Sequence, residues 1–240
     1  MEHSIPAEPK KNALRAGLDM LFANVRHHPV AWFIGATGLW VALPWVAPVL
    51  MYLGLDGPAE IIYWIYSFQC HQLPQRSFFL FGDKWMYELP EIQAAWYETS
   101  NPMALREFLG SPDLGYKVAW SDRMVSMYTS IPLAALLWYP LRRKMRPFPW
   151  WLAVLLAVPM ALDGGTHVIS DLFGLGEGFR YHNAWLADLT GNAFSTSFYV
   201  GDSLGSFNSW MRLITGVLFT FGLMGFALPY LFPGQRYKTP

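Results

Sequence analysis

Residues 30–53 of the chain, VAWFIGATGLWVALPWVAPVLMYL, carry no charged side chain over 24 consecutive positions. As a helix such a run is about 36 Å long, enough to cross a hydrocarbon core with some tilt. Pro44 and Pro48 fall inside it, and membrane helices tolerate proline better than soluble ones. Three further apolar runs follow at 124–141, 147–162 and 213–232. The chain therefore reads as an all-α protein: a polytopic helical integral membrane protein with about four transmembrane helices plus amphipathic or interfacial helices. Residues 58–69 are apolar but short, and Glu60 lies among them; they fit a half-helix at the interface better than a full crossing.

Composition supports this reading. Charged residues make up 14% of the chain and hydrophobic ones 53%, against about 25% charged in ordinary soluble domains. The formal net charge is zero, so no basic footprint points to nucleic acid. Cys70 is the single cysteine, which excludes an internal disulfide framework and a multi-cysteine zinc site.

Basic residues near the span ends set the expected orientation. Lys10, Lys11, Arg15 and Arg26 precede the first span, Arg142, Arg143, Lys144 and Arg146 separate the second from the third, and Arg236 and Lys238 follow the fourth. Of the acids, only Glu2, Glu8 and Asp19 share those stretches. Both termini are expected in the cytoplasm of a cell whose cytoplasmic membrane holds the protein. On this division residues 1–29 form a cytoplasmic amphipathic segment, with Leu14, Leu18, Leu21, Phe22 and Val25 on one helical face. Residues 30–240 form a single membrane domain with extracytoplasmic segments 54–123 and 163–212. The N-terminal apolar run is too long for a cleaved signal.

Polar groups recur at the ends of the spans on the extracytoplasmic side. Cys70 and His71 with Arg76 and Ser77 follow the half-helix, Asp122 and Arg123 open the second span, Asp163 with His167 closes the third, and Arg212 opens the fourth beside Trp210. Charges are costly in a membrane unless they face protein, water or a ligand, so these nine residues are read as one polar cluster. The sturdiest chemistry is an ion-pair network of Arg76, Arg123 and Arg212 with Asp122 and Asp163, its spare donors met by Ser77 and Thr166. Cys70, His71 and His167, with His182, are candidate metal ligands, but no paired metal-ligand spacing supports them. Thiol catalysis by Cys70 needs a histidine base brought in by the fold. Gly164 and Gly165 suit an abrupt exit from the third span. Gly216, Gly222 and Gly225 suit close helix packing in the fourth. Most tryptophans fit an interfacial belt, with a few as candidates to stack on a pigment or quinone.

At Cys70-His71-Gln72-Leu73-Pro74-Gln75-Arg76-Ser77-Phe78-Phe79 the chain resembles a bacterial and archaeal family of predicted membrane proteins with no assigned activity. That family shows Cys-His-x-x-Pro-Glu-Arg-Ser-Phe, a later element with Cys before Glu-Arg or x-Arg, and Leu-Asp-Gly ending an apolar span. Leu162-Asp163-Gly164 resembles the last, Trp210-x-Arg212-x-x-Thr215-Gly216 its C-terminal element, and Lys117-Val118-Ala119-Trp120 the approach to the middle one. The similarity spans about 58–232. Ser121 stands where the family has a cysteine, Gln75 where it has Glu, and His167 where Gln is common. The lost thiol weakens any shared metal or redox role, while Arg123 is kept. The resemblance implies architecture and site choice rather than a reaction.

The expected function is thus a non-enzymatic membrane protein, an accessory subunit of a larger membrane complex, whose cluster is structural. The alternatives are a small-molecule or metal binder or transporter using that cluster, and a membrane-embedded thiol- or metal-dependent enzyme. The expected partners are the lipid bilayer and other complex subunits; the sequence specifies no cofactor.

Overall fold

The computed structural model describes residues 9–233; Glu2, Glu8, Arg236 and Lys238 lie outside the described residues, as do the side chains of Lys10, Lys11 and Leu14. Helix α1 (Pro9–His27) leads into α2 (Pro29–Tyr52) and the short α3 (Asp56–Ser67). Strand β1 (Ser77–Leu80), helices α4 (Leu89–Ala95) and α5 (Pro102–Leu105), and strands β2 (Gly110–Ser111) and β3 (Gly115–Ser121) follow. Then come α6 (Asp122–Leu141), α7 (Trp150–Asp171), the short α8 (Phe179–His182), α9 (Ala184–Leu189) and α10 (Thr196–Tyr199), and finally α11 (Phe207–Leu231). Four of these helices, α2, α6, α7 and α11, are long and apolar enough to cross a membrane.

Helices α6 and α11 form the centre, with α2 packed on α6 and α7 on α11. α6 and α11 run parallel: Asp122 meets Arg212 near their starts, Met127 O accepts from Thr220 at 2.7 Å, and Trp138 packs with Leu228 near their ends. The glycines of α11 make close packing possible, Gly216 against α6 and Gly222 and Gly225 against α7 and the residues before it. A Cβ on Gly216 would sit 2.3 Å from Ser126 Oγ, one on Gly222 2.8 Å from Leu156 Cβ, and one on Gly225 2.4 Å from the Phe148 ring.

Prolines inside spanning helices expose carbonyls that the membrane cannot hydrate, and at Pro44 and Pro229 a neighbouring element supplies the missing donor. Pro44 has no N–H to offer Trp40 O, and the Tyr66 hydroxyl of α3 donates to that oxygen at 2.6 Å. Pro229 leaves Gly225 O without its helical donor, and the Phe148 amide donates there at 3.1 Å. Each of these two prolines is thereby tied to a neighbouring element.

The segment between α3 and α6 packs on one end of the bundle, here the sheet side. Its three strands pair antiparallel in the order β1–β3–β2, with Ser77 opposite Ser121 and Gly110 opposite Tyr116. The helical class stands, and the small sheet is an addition to it. Strand β3 escapes a reading by alternation because Lys117, Val118, Ala119 and Trp120 are all buried, as in strands covered on both faces. Leu73, Phe79, Tyr87, Leu89, Ile92, Leu105 and Phe108 build a separate core under this cap, joined by Leu175 from beyond α7.

Two boundaries differ from the sequence expectation. The third span does not stop at Asp163: α7 runs through Gly164 and Gly165 to Asp171, because Thr166, His167, Val168 and Ile169 continue the helix. Two glycines cost such a helix about 1 kcal/mol each, which packing offsets. Helix α11 begins at Phe207, so Arg212 lies within it rather than at its opening.

The proline–tyrosine relation yields a test by thermal unfolding in detergent. Tyr66→Phe should cost about 1 kcal/mol by orphaning Trp40 O. In a Pro44→Ala background, where residue 44 supplies its own N–H, that cost should fall to a few tenths. Equal costs in both backgrounds would show that the hydroxyl serves another purpose.

Candidate functional site

The parallel α6 and α11 both begin on the sheet side, and the antiparallel α7 ends there. This topology brings charged side chains far apart in sequence to one depth. On α7, Asp163, His167 and Asp171 recur every four residues and so share one helical face.

Arg212 is the most heavily bonded member. Its Nε donates to Asp122 Oδ1 and Oδ2 at 2.7 and 2.9 Å, Nη1 donates to Asp202 Oδ1 at 2.7 Å, and Nη2 donates to the Asp202 carbonyl. Asp122 also accepts from Ser209 Oγ at 3.1 Å and from the Arg123 amide at 2.7 Å. Arg76 continues the chain, with Nε on Asp202 at 2.9 Å and a two-pronged contact to Asp171 at 2.7 and 2.8 Å. A second set centres on Asp163, whose two oxygens accept from Arg123 Nη2 and Arg180 Nη2, both at 2.7 Å. His167 Nε2 lies 3.2 Å from Arg180 Nη2 and 3.7 Å from Asp163 Oδ1.

Four arginines thus face four aspartates; Asp122, Asp163, Arg180, Asp202 and Arg212 are buried and Arg76, Arg123 and Asp171 half-buried. Isolated charges at this depth would cost several kcal/mol each; pairing is what makes the burial tolerable. Burial opposes the charge on Arg76, but Asp202 and Asp171 overcome it and hold the guanidinium above its ordinary value. Burial likewise works against the Asp202 carboxylate, and Arg76 and Arg212 reverse it, holding the carboxyl well below the usual range. For Arg180 burial prevails over Asp163, and its value is lowered.

Supporting groups fix the loops that deliver the unforeseen members. Asn183, in the left-handed region at φ 43°, donates to the carbonyls of Arg180 and Tyr199, and Asn208 donates to those of Arg180 and Gly201. The Glu88 carboxylate accepts from the amides of Asp202 and Ser203.

Of the nine expected cluster residues, Arg76, Asp122, Arg123, Asp163, His167 and Arg212 come together in the network. Ser77 is buried but donates to Leu73 O, and Thr166 donates to Leu162 O, so neither hydroxyl serves an arginine. Cys70 is buried with Sγ 3.4 Å from Ser121 Oγ and accepting from the Gln72 and Ser121 amides; no histidine is among those contacts. His71, His182 and Trp210 are exposed. Among the described residues no three His, Cys, Asp or Glu gather as metal ligands, so Cys70, His71 and His167 do not form a ligand set. Arg180, Asp171 and Asp202 were not anticipated. Asp171 was legible from its four-residue spacing to His167, whereas Arg180 and Asp202 sit in irregular segments without such a signal.

Lys117 was also missed as a charge. Its ammonium is fully buried in β3 and donates to Gln72 O at 2.9 Å and Arg106 O at 2.6 Å, with no carboxylate partner. Gln72 itself is held at φ 53°, its side-chain amide donating to Tyr63 O and Ala119 O. Burial pushes the Lys117 ammonium down to about 7; Cys70 offsets part of this and Arg106 adds to it.

Between the bundle end and the cap lies a cavity of about 610 Å³. Arg76, Arg123, Arg212 and His167 line it together with Cys70, and Met124, Val168, Leu172 and Leu175 supply apolar wall. Gly164 lets Arg123 lie against α7: a Cβ there would come within 3.0 Å of Nη1. Three buried nitrogens nearby, Arg123 Nε, Arg180 Nε and His167 Nδ1, have no hydrogen-bond partner among the described residues.

Bundle and charged cavity together define a polytopic helical membrane protein with a polar site at one end. Residues 114–226 match the family described as Predicted membrane protein (DUF2085), as the sequence resemblance implied. An uncharacterized protein of the archaeon Methanocaldococcus jannaschii is 29% identical over 157 residues, covering 60% of this chain and 76% of its own length. No solved structure matches the chain.

Two outcomes follow. Arg212→Leu strands Asp122, leaves Asp202 with Arg76 as its one remaining arginine, and should lower stability by about 3–5 kcal/mol, read as a fall in the unfolding midpoint in detergent. For Lys117 the unfolded ammonium, near its ordinary 10.5, binds a proton that the folded one has shed above about 7. Stability should therefore rise with pH between those values, by up to about 1.4 kcal/mol per unit. Lys117→Met should flatten that rise; an unchanged slope would remove Lys117 as its source.

Proposed function

We propose that this membrane protein binds a small molecule in the cavity beneath its sheet, and that the ion-pair network is the frame holding the site's donors in place. One observation carries the reading: Arg76, Arg123, Arg212 and His167, from four segments, line a single cavity with His71 and Asp171, and Leu73, Met124, Val168, Leu172 and Leu175 supply its apolar wall. Ligand sites typically measure about 300–1,000 Å³ and combine apolar walls with a few fixed polar groups. Locking the guanidinium groups against buried carboxylates leaves their free edges preorganised. The accessory-subunit expectation accounts for the network as structure but gives the cavity no task. A thiol enzyme finds little support, since Cys70 is surrounded by Ser121 and backbone amides rather than a histidine base.

Basic residues flank the helix ends remote from the sheet, which supports placing that side in the cytoplasm and the cavity at the outer face of a cell membrane. Contact with lipid follows from the four apolar helices.

Arg123→Gln is the informative variant, because Asp163 keeps its pairing with Arg180 and the frame survives. Protein purified in mild detergent and extracted with organic solvent should release a near-stoichiometric small molecule, detected by mass spectrometry, and the variant should release several-fold less. No copurified molecule, together with no midpoint shift across a panel of metabolites and lipids, would sink the proposal.

A further inference from the structure

Resting on that reading, we infer that the ligand is an anionic amphiphile: an oxygen-acceptor headgroup carrying a single negative charge on a long apolar tail that leaves the cavity sideways into the bilayer. The first ground is charge. Arg76, Arg123, Arg180 and Arg212 are matched by Asp122, Asp163, Asp171 and Asp202, so no surplus of positive charge exists to balance a polyanion. Free donors nevertheless remain. Arg123 lines the cavity and uses one donor, Nη2, on Asp163, with Nη1 lying beside Gly164 on the same wall; Arg123 Nε and His167 Nδ1 also lack partners among the described residues, though both atoms are themselves buried. Unpaired donors in a neutral frame suit a single carboxylate, phosphodiester or similar oxygen.

The second ground is the wall. Val168 and Leu172 line the cavity, yet they are 63% and 81% exposed. Val168 lies in the last turn of α7 and Leu172 is the residue that caps it, and α7 is long and apolar enough to span the membrane. A residue that borders the cavity and also faces outward from such a helix marks a lateral opening, and what lies outside it is lipid. Pro102 and Ser100, from the cap, line the cavity as well and are exposed, so the opening lies between the cap and α7. A molecule seated with its head on Arg123 and its tail past Leu172 would satisfy the donors and keep its apolar part out of water.

The test uses the full chain in dodecyl maltoside, with binding read from the unfolding midpoint against ligand concentration. Oleate and lysophosphatidylglycerol supply the two headgroup sources on long tails; acetate and inorganic phosphate supply the same oxygens without a tail, and oleyl alcohol the tail without an anion. Stabilisation by oleate, by lysophosphatidylglycerol or by both is expected and identifies the source. Arg123→Gln should weaken it about tenfold, the loss of one charge-assisted hydrogen bond. Val168→Trp, which narrows the opening without touching the network, should weaken it at least as much while leaving the ligand-free midpoint unchanged. Acetate or phosphate acting as well as the long-chain probes, oleyl alcohol matching oleate, or equal binding by wild type and both variants would overturn the amphiphile. If no long-chain probe acts while a polar molecule still copurifies, the amphiphile alone fails; if nothing copurifies either, both readings fall.

Discussion

The buried pairing of Arg212 with Asp122 and Asp202 is the contact on which the sheet side of the bundle depends. Helices α6 and α11 run parallel, so their positive N-terminal ends lie side by side. Asp122 is the first residue of α6, where a carboxylate is favoured by both helix ends, by the Arg123 amide and by Ser209 of α11. Arg212 then carries the link to Asp202 in the loop before α11. At the same depth α7 presents its negative C-terminal end, and there Arg76 grips Asp171. Asp122 thus follows the helix dipoles, whereas Arg123 in the first turn of α6 and Asp171 at the last residue of α7 sit against them and are held by their ion pairs with Asp163 and Arg76.

The same accounting governs the backbone. A bilayer supplies no water to an orphaned carbonyl, so each proline in a spanning helix asks for a donor from elsewhere. Tyr66 supplies one to Trp40 O and the Phe148 amide one to Gly225 O. Residues that break the helix locally are thus points where tertiary structure is specified: Pro44 fixes α3 against α2, and Pro229 fixes the entrance to α7 against α11. Glycine does complementary work in α11, where Gly225 accepts both the donor and the ring of the same Phe148.

The spans were legible because uncharged runs of this length have few other uses, and the arginines on those spans were legible because the membrane makes charge conspicuous. Arg123 pairs with Asp163 and Arg212 with Asp122. What sequence concealed had three physical sources. Strand β3 is covered on both faces and so lacks alternation, hiding both the sheet and the buried Lys117. Gly164 and Gly165 looked like a terminus, whereas one of them makes room for Arg123 inside a continuing helix. Arg180 and Asp202 come from irregular segments whose positions are set by Asn183, Asn208 and Glu88 through backbone hydrogen bonds, a relation that no periodicity encodes.

The arginines are not equivalent, and their differing saturation separates frame from working group. Arg212 makes four side-chain hydrogen bonds and Arg76 three, all to aspartates. Arg123 makes one, although it carries five N–H donors like the others. A guanidinium kept only to hold helices together gains nothing from idle donors, since each buried and unmet N–H costs about 1–3 kcal/mol. Arg180 also has an unpartnered Nε, yet it does not line the cavity, and its second contact is His167. Arg123 alone combines a single anchoring bond, a place on the cavity wall and a glycine opposite it. That combination is expected of a residue whose remaining partner arrives from outside the protein.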